Sequence, residues 1–148
     1  MIAPIARLYF ACFQRIPDYG GLQYCINAYT SGTSLSSVAQ EFINSQEFIN
    51  VYSSLNNEAF VTLLYQNVLG RDPDTEGYNY WLGQLNAETI TKGDTLIGFS
   101  ESTEYKTKNS NNYNLQITMV YAAMLHKLPA QTTLDEWVAE GQSPMGTL

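Results

Sequence analysis

The carboxylates Asp72, Asp74 and Glu76 stand ahead of Gly77 at the alternate spacing with which an EF-hand loop first reaches calcium. Two departures weaken this calcium candidate: the twelfth position is Gly83 where a bidentate Glu belongs, and Pro73 occupies the second. The competing reading is a helix cap with solvated carboxylates. Cys12 and Cys25 lack CxxC spacing but lie at matching distances on either side of a proline turn, so in an antiparallel hairpin they face each other. Two buried thiols and a disulfide are both open readings. Tyr24 and Tyr80 share one slot on the outer side of equivalent segments. Exposed tyrosines among Asn and Gln stack on sugar rings and hydrogen-bond their hydroxyls, so Tyr24, Tyr80, Asp72 and Glu76 form the candidate ligand-binding set. The single histidine, His126, has no carboxylate partners for a metal site and reads as a helix-end residue. No Ser/His/Asp set or phosphate-binding glycine loop appears, so neither catalysis nor a cofactor is expected.

The elements that position these residues come from a repeat. Tyr9, Tyr65 and Tyr121 lie 56 residues apart; Arg15, Arg71 and Lys127 keep the same period, as do Pro17, Pro73 and Pro129. Apolar residues at Ile5, Leu8, Tyr9, Cys12 and Phe13 follow the spacing of an amphipathic helix. The phase returns at Val61, Leu64, Tyr65, Val68 and Leu69 and at Ile117, Val120, Tyr121, Met124 and Leu125. Each stripe runs to a proline, with Gly70, Gln14 and His126 at the position that closes the helix. A second helix follows, capped by Asp18 or Asp74, with Thr132 or Thr133 taking that role in the third copy. It buries Leu22, Cys25, Ile26 and Tyr29 in copy one, Tyr78, Trp81, Leu82 and Leu85 in copy two, and Leu134, Trp137 and Val138 in copy three. Gly21 and Gly77 would let it approach its partner closely. Residues 34–48 and 89–105 each read as a third helix of about ten residues, capped by Ser36 and Thr91. In these two segments Phe42 matches Phe99, Ser45 matches Ser102, Glu47 matches Glu104 and Phe48 matches Tyr105. The expected organisation is repeat one at 1–52, repeat two at 57–108 and a partial repeat three at 113–148. The expected fold is all-α, tandem three-helix repeats packed side by side.

Composition narrows the function. The 148 residues carry a net charge of −7 with only seven Lys and Arg, against a nucleic-acid or anionic-membrane surface. No apolar run approaches the roughly 18 residues of a membrane span, so direct membrane insertion is not expected. The apolar N-terminus has no basic leader and is interrupted by Arg7, and reads as a helix of a chain cut from something longer. Charged residues are only 14% of the chain, so much of the surface is Asn, Gln, Ser, Thr and Tyr, as on many exported proteins.

The elements Leu64-Tyr65, Leu69-Gly70-Arg71, Pro73-Asp74, Gly77, Tyr80-Trp81, Phe99, Ser102, Glu104 and Tyr105 resemble the family known as domain of unknown function 4214. The resemblance is fullest in copy two; copy one lacks the Gly of the Leu-Gly-Arg element and the Trp. Members of the family occur in tandem in secreted bacterial proteins, often beside calcium-binding RTX repeats. The helical unit also resembles the anchoring segment of some surface-layer proteins and, more distantly, phycobilisome linker domains. The resemblance implies an exported, cell-surface or extracellular module that attaches or assembles a larger protein through protein or cell-surface polysaccharide contacts. It supplies no catalytic residues. The alternative is an intracellular linker-type scaffold that binds other helical proteins.

Overall fold

The computed structural model describes residues 2–52 and 54–127. Among these, all regular structure is helical. Copy one comprises α1 (Ala3–Phe13), α2 (Tyr19–Thr30), α3 (Leu35–Asn44) and α4 (Gln46–Tyr52). Copy two repeats the order: α5 (Asn57–Leu64) runs on into a π-helical turn (Tyr65–Leu69), followed by α6 (Thr75–Asn86), α7 (Lys92–Ser100) and α8 (Thr103–Lys108). The first helix of copy three is α9 (Tyr113–Lys127). The expected second helix of copy three, with Thr132, Thr133, Leu134, Trp137 and Val138, lies outside the described residues.

The local signals of the first two helices of copies one and two act as expected. Pro4 sits in the first turn of α1, where its missing N–H leaves no bond unmade. α1 ends at Gln14 in the left-handed conformation (φ 52°), and the π-helical turn ends at Gly70 in the same conformation (φ 66°), where glycine meets no Cβ penalty. Asp18 and Asp74 cap α2 and α6, each carboxylate accepting from the backbone N–H three residues on, at 2.8 Å. Thr91 caps α7 in a capping box with Asp94.

Other expectations are corrected. Ser34, not Ser36, caps α3 by accepting from the Ser37 N–H; the Ser36 hydroxyl instead donates to Asp94 of copy two. The third segment of copies one and two is two helices, because Ser45 and Ser102 serve both sides of a break. Each hydroxyl donates to the carbonyl of the residue three before it and accepts from the amide three after it (Phe42 and Phe48; Phe99 and Tyr105), capping the next helix as it ends the last. His126 lies within α9, and the positive-φ non-glycine residues among those described are Gln14 and Glu88. On α6 only Leu85 is buried, while Tyr78, Trp81 and Leu82 are half-buried, because this helix forms an edge of the fold. Tyr29 is likewise half-buried.

The two complete copies share one hydrophobic core. Its most fully enclosed members include Ile5, Leu8, Leu22 and Val38 from copy one and Phe60, Val61 and Leu96 from copy two. The largest helix–helix contact joins the copies, α3 against α7. At Gly93 the α3 backbone comes so close that a Cβ there would lie 2.8 Å from the Ser36 carbonyl oxygen and 2.9 Å from the Gln40 nitrogen. Beside this contact Arg7 of α1 grips Glu101 of copy two with both arms, Nε to Oε1 at 2.6 Å and Nη2 to Oε2 at 2.7 Å. Lys106 Nζ adds a contact to Glu101 at 2.9 Å. Burial pushes the Glu101 carboxyl up, but Arg7 and Lys106 together outweigh it and hold the group below its ordinary value.

Copy three does not simply continue the row. α9 packs on α1 and α2 of copy one. It does so through Leu115, Thr118, Ala122 and Leu125, all nearly inaccessible; of the expected stripe Leu125 is buried, but Ile117, Tyr121 and Met124 are half-buried and Val120 is 52% exposed. The stripe that is interior in α1 and α5 is partly open here, because a different face of the helix meets copy one.

Two outcomes follow. Replacing Arg7→Ala leaves a largely buried carboxylate with Lys106 as its remaining cation and lowers unfolding stability by about 2 kcal/mol in denaturant titration. Because the folded Glu101 lies below its ordinary value of 4.5, its contribution is complete above that pH and is lost as pH falls through the folded value. The variant therefore loses part of the acid-dependent stability of the native chain. Replacing Gly93→Ala forces α3 and α7 apart, since both facing atoms belong to backbone; a loss of about 2 kcal/mol with a lowered melting temperature is expected.

Candidate functional site

The most concentrated side-chain chemistry lies at the joint between the first and second helices, and it is built twice. The left-handed residue that ends each first helix is followed directly by arginine, which is thereby directed across the helix end. Arg15 binds Glu47 through Nε–Oε1 at 2.7 Å and Nη2–Oε2 at 2.8 Å; Arg71 binds Glu104 through the same atoms at 2.7 and 3.1 Å. Each guanidinium also covers the repeated tyrosine, 5.4 Å from the Tyr9 ring centre and 4.9 Å from that of Tyr65. Each reaches the capping aspartate as well, Arg71 Nη1 to Asp74 Oδ1 at 3.2 Å and Arg15 Nη2 to Asp18 Oδ2 at 3.8 Å. The joint thus ties the end of helix one, the start of helix two and the first turn of α4 or α8. The hydrogen bonds from Arg71 hold the Glu104 carboxyl below its ordinary value. Asp74 is held down first by the Gly77 N–H and then by Arg71.

Around this common frame the copies differ in their aromatic residues. Copy one closes a triangle of rings, with centroids 5.0 Å apart for Tyr9–Phe13 and 5.3 Å for both Tyr9–Phe42 and Phe13–Phe42. In copy two Leu69 takes the slot of Phe13, and Trp81 enters from α6 where copy one has Cys25. Trp81 packs on Phe99 at 5.5 Å, which meets Tyr65 edge-on at 4.9 Å, and Tyr80 lies edge-on to Trp81 at 5.1 Å. The indole fits because Gly98 stands in the slot of Glu41; a Cβ at Gly98 would overlap the far edge of its six-membered ring. In copy one the smaller Cys25 leaves Glu41 free to accept a hydrogen bond from the Tyr24 hydroxyl at 3.3 Å.

The exchange opens a surface pocket of about 140 Å³ in copy two. Tyr65, Trp81 and Phe99 supply aromatic walls, and Arg71, Ser102 and Glu104 the polar ones. A larger cleft of about 310 Å³ lies where α1, the π-helical turn and α8 meet. Its polar groups are largely turned on the protein itself: Gln14 Nε2 donates to the Asn67 carbonyl, Lys108 Nζ to the Leu69 carbonyl and Asn112 Nδ2 to Asn109 Oδ1. The Tyr105 hydroxyl on its wall has no hydrogen-bond partner among the described residues and is closed off from solvent. The smaller pocket is the better candidate because the half-buried Trp81 and the half-exposed ion pair both reach solvent there.

The residues singled out from sequence are not gathered into one site. Tyr80 is 58% exposed beside the pocket, and Tyr24 is 61% exposed on the other copy. Asp72 is exposed with Gln66 Nε2 at 3.4 Å, and Glu76 is exposed in the first turn of α6. Asp72, Asp74 and Glu76 do not form a calcium cage: among the described residues no group of three or more His, Cys, Asp or Glu is placed to hold a metal. Asp74 faces its own helix end and Arg71 instead. Cys12 and Cys25 are free thiols in the core, and burial pushes Cys25 up to about 12 and raises Cys12 as well. Gly77 admits the Tyr65 hydroxyl against α6, as a close approach requires, whereas a Cβ at Gly21 would meet only the Asp18 carboxylate.

Sequence reasoning missed Glu47 and Glu104 as partners of the repeated arginines, although their matched slots were the available signal. It also placed Trp81 in the core. Replacing Gly98→Ala displaces the indole; the expected result is a loss of about 1–3 kcal/mol in stability and a red-shifted tryptophan emission, measured by denaturant titration and fluorescence.

Residues 39–109 match the model of the family described as Domain of unknown function (DUF4214). No curated protein and no solved structure matches the chain. The matched stretch begins within α3 and ends just beyond α8, so it takes in all of copy two with its joint and pocket. The stretch 39–109, just under half of the 148 residues, is thus similar to the DUF4214 family.

Proposed function

We propose that the chain is a non-catalytic helical repeat module of a larger exported bacterial protein, mediating attachment or assembly through contacts with protein or cell-surface glycan. The observation that carries this reading is the paired display of Tyr24 and Tyr80. Equivalent positions on the second helix of each copy present a large aromatic side chain outward, 61% and 58% exposed. A chain that buries aromatic residues as thoroughly as Phe60 and Phe99 gains nothing in its own folding from leaving these two in water; a partner surface would cover them. The polar, weakly charged composition is in keeping with such contacts, and the ion pairs of the two joints serve to hold the helices that present the tyrosines.

A second reading, an intracellular linker-type scaffold that binds other helical proteins, is favoured by the free thiols Cys12 and Cys25. Alkylation of unreduced protein from the native host, followed by mass measurement, separates compartments to the extent that a bridged pair would exclude the reducing one.

The main reading is tested by sedimentation of the purified chain with cell-envelope fragments. The chain is expected in the pellet, and the double variant Tyr24→Ala with Tyr80→Ala is expected to fall to the supernatant while keeping its helical circular dichroism. Retention of neither protein would overturn the reading.

A further inference from the structure

We infer that the pocket of copy two is a binding site for one ring of an uncharged saccharide, an assignment that rests on the glycan half of the function proposed above. Three features of the pocket select this chemistry. Its aromatic wall offers the half-buried Trp81 to the apolar face of a pyranose, with the exposed Tyr80 set edge-on beside the indole. Its polar walls are an already paired Arg71 and Glu104, whose side chains are 39% and 43% exposed, so each keeps hydrogen-bonding capacity toward solvent while their charges cancel. An anionic ligand would have to displace Glu104 from Arg71, and a cationic one would have to displace Arg71 from Glu104. A wholly apolar ligand would cover the ion pair without satisfying it. A neutral ring bearing hydroxyls meets the aromatic and polar walls together. The volume of about 140 Å³ suits a single residue at the surface rather than a buried oligosaccharide.

The comparison within the chain supports the assignment. Copy one retains the arginine, tyrosine and glutamate of the joint, so these alone serve the fold. Copy two adds Trp81 and the Gly98 that makes room for it, and it replaces the ring of Phe13 by Leu69. The joint would hold without these exchanges, and together they open an aromatic surface next to the ion pair.

The test is a titration of the ¹⁵N-labelled chain with methyl glycosides of neutral hexoses and N-acetylhexosamines chosen from a glycan array. The Trp81 indole N–H and Arg71 Nε–H signals are expected to move together and saturate together. Trp81→Ala is expected to weaken binding by about tenfold or more. The paired exchange Trp81→Cys with Gly98→Glu, which installs the copy-one residues in the copy-two frame, is expected to keep the melting transition and abolish binding. Affinity that holds from low to high salt supports an uncharged ligand, and affinity that collapses with salt overturns that chemical class. Sugar binding that leaves both signals unmoved overturns this site while leaving the glycan reading intact. A blank array with envelope binding preserved overturns the site and assigns attachment to protein contacts, whereas loss of envelope binding as well would overturn the proposed function itself.

Discussion

The arginine of each joint is the interaction on which the helical unit depends. A guanidinium placed just after the left-handed residue meets a tyrosine face, a capping aspartate and a glutamate from a helix some thirty residues later in the chain. Each contact is modest, since the pair is half-exposed and water and salt screen it. Their value lies in direction, because a planar fork fixed on a carboxylate and stacked on a ring accepts few orientations. The angle between helices one and two is thereby tied to the position of α4 or α8, which explains why tyrosine, arginine, aspartate and glutamate recur in register.

The contact between the copies works by different means. α3 and α7 approach at Gly93, and Arg7 spans from α1 to Glu101 in a bidentate pair much less exposed than those of the joints. These features belong to single copies: the slots that correspond to Arg7 in the other two copies hold Leu63 and Met119. Repetition builds the unit, and departures from repetition join the units. The return of α9 to α1 and α2 is a further departure, made through a face that includes the small residues Thr118 and Ala122 instead of the repeated stripe.

Copy two has also diverged within its own unit. The π-helical turn that ends its first helix, the tryptophan on α6 and the glycine beneath that tryptophan lie around one joint. Wide turns of this kind are commonly found at functional sites, and here one leads directly into Gly70 and Arg71. The family match covers this copy in full and only the later part of copy one.

The sequence by itself determined the all-helical class, the period, the ends of the first helices of copies one and two and the caps Asp18, Asp74 and Thr91. The period is read by laying the chain against itself; the rest depend on residues within one or two turns of each other, so short spacing is enough to specify them. The candidate site was only partly legible. Tyr80 could be placed outward from its phase, but Trp81 read as core because its phase is that of a buried stripe. Only the tertiary structure decided that α6 lies at an edge, which leaves that stripe half-covered. It likewise decided that Arg15 meets Glu47 and Arg71 meets Glu104, that Ser45 and Ser102 break one helix into two, and that α9 turns Val120 toward solvent. Periodicity specifies that a helix has an apolar face, but which part of that face is buried depends on which distant helix arrives to cover it.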